Sequence, residues 1–298
     1  MPRLRFLLAA LCSILTIRVG AQTSAPAPVN GGFPLVSPSA PRILFESNRT
    51  GKTQLWIISA DGTGERQLTN RDGDVSGQWA PDGKSIFYSV MIRDTSWLYE
   101  LWPDSSRERT IGAFTGRGPQ LSPARTRVVY DVGPWTASHL VLTDGQGRGG
   151  RQVTDDSLTV WRGVWSPNGR ELAYTVSKKS GMSVWVMNED GSNPHQVTHL
   201  TPEEGRAQMP AWHPDSHQLA FQANANSPKG KSTLWLVNLQ TTGAREIAPH
   251  TEAFLDETPS WFSDGRRVAF QSNRSGRMEI WTVNTDGSNL QRVTGPGR

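Results

Sequence analysis

Residues 259–294 (PSWFSDGRRVAFQSNRSGRMEIWTVNTDGSNLQRVT) and 34–69 (PLVSPSAPRILFESNRTGKTQLWIISADGTGERQLT) align without a gap, and this internal repeat constrains the fold most. Pro34 matches Pro259, Phe45 matches Phe270, and Ser47-Asn48-Arg49 match Ser272-Asn273-Arg274. Trp56 matches Trp281, and Asp61-Gly62 match Asp286-Gly287. Four further copies lie between, so the anchor positions run Val36, Trp79, Leu121, Trp165, Trp212 and Trp261, at spacings of 43, 42, 44, 47 and 49 residues. That period is too long for ankyrin or leucine-rich repeats and suits four-stranded propeller blades. The spacing predicts an all-β chain: a six-bladed β-propeller with four antiparallel strands, A to D, per blade.

The segments inside each copy support strands over helices. SIFYSV, ELAYTV and SVWVMN are short, rich in β-branched and aromatic residues, and bounded by turn signals. PDGK at 81–84, PNGR at 167–170 and SDGR at 264–267 read as A–B hairpin turns, because Asp-Gly and Asn-Gly tolerate positive φ. In the fifth copy the strands are expected near 208–213, 217–222, 233–238 and 245–248. Eight of the 12 tryptophans fall on two phases, Trp79, Trp165, Trp212 and Trp261 in strand A and Trp56, Trp185, Trp235 and Trp281 in strand C. Regular placement of a large flat side chain points to packing between blades.

These residues resemble the WD40-like repeat of the TolB family, whose pattern runs S-W-S-P-D-G-K, I-A-F, S-N-R-x-G, I-W/Y-x-M-N, D-G, R-L-T. The resemblance covers residues 33–294 and implies the propeller fold for nearly all of the chain after residue 32. Copy two has Tyr99 for the C-strand Trp, and copy three has Leu121 for the anchor and SPARTR for the A–B turn. TolB itself carries an N-terminal α/β domain, for which no counterpart is expected here. The same blades occur in binding proteins and ahead of catalytic domains, so the resemblance speaks to fold more than to function.

The opening MPRLRFLLAALCSILTIRVGAQ carries two arginines, an apolar run from Phe6 to Ile17 and small residues before Gln22. That layout predicts a signal peptide over 1–21, a flexible leader over 22–32 and the propeller over 33–298, in a periplasmic or secreted bacterial protein without a membrane anchor after cleavage. Setting aside Arg3, Arg5 and Arg18 leaves 28 basic residues against 27 acidic ones, which gives no support to nucleic-acid binding. Cys12, the one cysteine, lies within the predicted signal, so no disulfide or thiolate site is expected.

No nucleophile elbow, H-E-x-x-H or calcium-loop pattern occurs. The six histidines, His139, His195, His199, His213, His217 and His250, read as solvated loop residues. No catalytic residue, metal or cofactor is expected. Alternating strand direction puts the D–A and B–C loops on one face, with the D–A loops nearest the axis. The D–A loops are rich in Asp and Glu and the B–C loops in Lys and Arg, which predicts an acidic inner ring within a basic outer one. From this we expect a non-catalytic, monomeric protein that binds a protein or cell-envelope component through Asp74, Arg117, Arg162, Glu203, Glu204, Arg206, Asp256 and Glu257. Arg117, Arg162 and Glu257 are placed at the channel mouth. The alternative is a propeller enzyme, a carbohydrate lyase or hydrolase, with its site in the central channel.

Overall fold

The computed structural model describes residues 31–295 apart from 94, 225–229 and 242. The expected signal peptide, and the leader up to residue 30, lie outside these residues. Twenty-four strands form six antiparallel sheets of four, and each sheet takes its strands in chain order. The chain is thus a six-bladed β-propeller with self-contained blades. The innermost A strands are Gly32–Val36, Asp74–Trp79, Arg117–Leu121, Thr159–Trp165, Arg206–Trp212 and Asp256–Trp261. In blade five the four strands are Arg206–Trp212, Gln218–Asn224, Ser232–Asn238 and Ala244–Ile247, within two residues of expectation.

Turn chemistry sets the hairpins. At the A–B turns Gly83, Gly169 and Gly265 sit at φ of 65°, 73° and 65°. The glycine missing from blade three is replaced by Arg125 at φ 61°. Its guanidinium reaches the fully buried Glu100 of blade two at 3.0 Å, which offsets a strained backbone with an inter-blade ion pair. At the C–D turns the Asp61, Asp190 and Asp286 carboxylates each accept the N–H two residues on, at 2.9 Å.

Among the described residues the core divides into six apolar clusters, one at each blade junction. All eight phased tryptophans pack in these clusters. Trp79, Trp212 and Trp261 are buried, while Trp165 and the four strand-C indoles are only half-buried. The indole N–H of Trp79, Trp165, Trp212 and Trp261 donates to the preceding blade, to Leu35, Gln120, Val164 and Ala211 carbonyls at 2.8 to 3.1 Å. Blades one and three lack the anchor indole. There the preceding blade supplies a side chain instead: Ser260 Oγ accepts the Val36 N–H at 2.9 Å, and Gln78 both accepts from and donates to the Leu121 backbone.

The ring closes through the blade six to blade one junction, where Val36, Ile43, Phe45 and Ile58 meet Phe262, Ala269, Ile280 and Val293. No strand is exchanged among the described residues.

Candidate functional site

Five of the six A strands slip register at one common level, and only blade two pairs without a break. The extra residue there is Phe33, Gly118, Arg162, Met209 or Thr258, at φ between 48° and 58°. For a residue with a Cβ this conformation costs roughly 1–2 kcal/mol. The compensation comes from the neighbouring blade. Gln271 Oε1 accepts the Phe33 N–H at 2.9 Å, and both Asp131 oxygens accept the Arg162 N–H at 3.2 Å. Thr175 Oγ1 accepts from Met209, and Gln222 Oε1 from Thr258, both at 3.3 Å. Bulges of this kind re-aim side chains. Here Phe33, Arg162, Met209 and Thr258 line a cavity on the axis.

That cavity has a volume of about 490 Å³. It runs from the bulges to the A–B turns, with Trp79, Trp165, Trp212 and Trp261 along its sides. Exposed Pro38, Pro81, Pro167 and Pro214 form its rim. Of the eight residues expected to bind a partner, Arg162 alone lines it. The Arg162 guanidinium lies 5.1 Å from the Phe33 ring centre, and burial lowers its pKa while Glu46 and Asp131 support the charge.

Arg117 and Glu257 stand one residue before their bulges, outside the lining of this cavity. Glu257 receives the Gln222 and Gln271 amides at 3.2 and 2.9 Å and so belongs to the inter-blade network. Arg117 donates to the Gly133 carbonyl at 2.7 Å and lies 4.1 Å beneath the ring of Trp135, which is 64% exposed. Its Nε and Nη2 are buried without a hydrogen-bond partner. Asp131 sits between Arg117 and Arg162, and burial raises its carboxyl to about 6 against their attraction.

Asp256 is wholly enclosed, bound by Ser272 at 2.7 Å, Arg274 at 3.0 Å and His250 at 3.4 Å. The geometry assigns it to holding blade six together and leaves it no surface. Glu203 and Arg206 are exposed, and Glu204 caps its own loop by accepting the Thr201 N–H at 2.8 Å. Asp74 is the first residue of its A strand. The histidine reading needs correction at two positions. The His250 side chain is 3% exposed, and His213 packs edge-on against Trp261 at 4.5 Å.

The expected charge rings pair with each other in part. Lys52 bonds Asp72, Arg274 bonds Asp256, and Arg277 turns to the buried Glu279. Among the described residues no group of three His, Cys, Asp or Glu could hold a metal, and no helix is long and apolar enough to cross a membrane. Four tryptophans fall off the repeat phases: Trp97, Trp102, Trp135 and Trp161. That irregularity was the signal for an exposed aromatic. Of the four large hydrophobics exposed among the described residues, Ile92, Trp97 and Trp135 stand on the face of the D–A and B–C loops.

A family model for the TolB beta propeller domain matches residues 12–198 and 124–298. Dipeptidyl-peptidase 5 of Porphyromonas gingivalis is 23% identical over 283 residues, which are 85% of this chain and 39% of that protein. TolB from Acinetobacter baumannii superposes with a TM-score of 0.69 at 18% identity, over 92% of this chain and 66% of that one. An oligogalacturonate lyase from Vibrio parahaemolyticus gives 0.59 at 15% identity, over 89% and 78%. The chain spans less than two thirds of the curated relatives it matches, and at these identities the structural likeness speaks for the fold alone.

Proposed function

The chain belongs to the TolB beta propeller domain family, and on that premise we propose an exported, non-catalytic binding protein that recognises a protein or cell-envelope component through its D–A loop face. The observation that carries this reading is the pair of Trp135 and Arg117. An exposed indole lies on a guanidinium with two unpaired donors, beside the axis, on the face where Ile92 and Trp97 are also exposed. Trp and Arg are the side chains that most often anchor protein interfaces. A buried donor left without a partner costs about 1–3 kcal/mol, and a partner's carboxylate or carbonyl relieves it on displacing the exposed Trp135 ring that covers Arg117. Periplasmic or secreted placement, as a monomer, goes with this reading.

The test is capture of cell-envelope proteins by the immobilised chain, compared with Trp135→Ala and Arg117→Ala. Each substitution is expected to weaken capture of the same partner by about 2 kcal/mol, roughly thirtyfold, with little change in Tm. Equal capture by wild type and both variants would refute the proposal for this face.

The axial cavity supports a second reading, a propeller enzyme acting on a carbohydrate within the channel. Turnover of acidic oligosaccharides by the purified chain, lost in Arg162→Ala, would put that reading first.

A further inference from the structure

We propose that the axial cavity binds a small amphiphilic monocarboxylate, with its head on Arg162 and its apolar body along the tryptophan and proline walls. The site opens away from the D–A face, because its rim lies among the A–B turns at the other end of the propeller.

Size and lining come first. A volume of about 490 Å³ lies within the range of small-ligand sites, roughly 300–1,000 Å³. Four indoles, from blades two, four, five and six, line the walls, and each whose N–H is turned to a carbonyl of the preceding blade offers ring surface in place of a donor. Prolines carry the wall outward to the solvent-exposed rim, and they add apolar surface that has no backbone donor. The indole and proline surfaces suit a hydrocarbon body, while Gln78, Gln120 and Ser260 in the same lining leave the carbohydrate reading to be separated by experiment.

The charge at the inner end selects the head group. Arg162 and Glu46 are the charged side chains among the lining residues. Among the described residues the Arg162 guanidinium makes no hydrogen bond or ion pair, and only its backbone N–H is used, by Asp131. A half-buried guanidinium with its fork of donors unfilled matches the geometry of a carboxylate. Asp131 fixes the left-handed backbone of Arg162, and the Phe33 ring 5.1 Å from the guanidinium restricts the side chain, which lowers the ordering cost on binding. Glu46 and Asp131 nearby limit the charge that fits. They weigh against a second negative charge, so a monoanion is favoured over a dianion such as a phosphate monoester.

The experiment is calorimetric titration of the full chain with decanoate, decanol, decylamine and decyl phosphate, each below its micelle threshold. Decanoate is expected to bind saturably at one site per chain, about tenfold or more tighter than the other three. Arg162→Met should reduce decanoate to the affinity of decanol while leaving decanol unchanged. Lys179→Met, a change of equal charge on an exposed B–C loop, should have no effect. Equal affinity for all four ligands, absence of saturable decanoate binding, or unchanged binding by Arg162→Met would each overturn the proposal. The ligand comparison stands on wild type alone should the Arg162 variant fail to fold, and none of these outcomes bears on capture through Trp135 and Arg117.

Discussion

Two buried aspartates titrate in opposite directions, and the difference lies in what surrounds each carboxylate. Asp131 accepts one backbone N–H, and loss of water outweighs the pull of Arg162 and Arg117, so its pKa rises from 3.8 to about 6. The native state therefore keeps a proton between roughly pH 4 and 6 that the unfolded chain has lost. Stability from this residue falls as pH rises through that window and is level above it. Asp131→Asn keeps an acceptor for the Arg162 N–H and removes the buried charge. Denaturant unfolding at pH 4, 5, 6 and 7.5 should show this variant more stable by about 2 kcal/mol at pH 7.5, with that part of the slope gone. Asp256 is the reverse case. Burial raises its pKa, but hydrogen bonds from His250, Arg274 and Ser272 and the Arg274 charge together lower it below 3.8. Its contribution is present above that value and is lost as pH falls through the native pKa. Asp256→Ala leaves the enclosed Arg274 guanidinium without its counter-charge and should cost about 3–5 kcal/mol. Exposed Glu203→Ala should stay within about 0.5 kcal/mol, measured by the same unfolding.

The junctions between blades show which parts of the fold could be read from residue order alone. Strand phases were legible because each hairpin is local: aromatic spacing and Asp-Gly turns lie within one copy, and the blade-five strands fall within two residues of expectation. The bulges were not. Phe33, Arg162, Met209 and Thr258 share no chemistry, and what holds each is a polar residue about 31 to 36 positions earlier or, at closure, 238 later. The site suffered in the same way. Arg162 lines the axial cavity rather than the D–A rim, and Asp256 is enclosed through its partner Arg274, which lies 18 positions on, across a hairpin. Val36 and Leu121 occupy anchor positions without an indole, and Ser260 and Gln78 take over the missing contact. A double-mutant cycle tests that compensation. Leu121→Trp should be destabilising in the wild-type chain, because the indole competes with Gln78 for the same junction. In Gln78→Ala the penalty should shrink, giving a coupling energy of about 1 kcal/mol or more. Strict additivity of the two changes would mean that the glutamine is not a substitute for the indole.

Every junction is built from a packed cluster with cross-blade hydrogen bonds, and the closing one differs only in which side chains supply them. The ring therefore does not depend on a particular starting point. Gly31 lies against Ile280 and Thr294, so residues 31 and 295 can be joined by a short linker. The D–A loop between blades three and four is exposed at Asp155 and Asp156, and opening the chain there cuts no sheet. A permuted chain that starts at Ser157 and ends at Asp156, with 31 and 295 linked, should unfold in one transition within a few degrees of the parent Tm. A second permutation, opened between Ser180 and Gly181, separates the two central strands of blade four in sequence and should melt lower. The pair of thermal scans isolates the cause, since both chains carry the same linker. Equal Tm for the two permutants would mean that blades are not the unit in which this ring is held together. A collapse of both would mean that the ring does not tolerate the linked ends, and a collapse of the first alone that the loop at 155–156 holds blades three and four together.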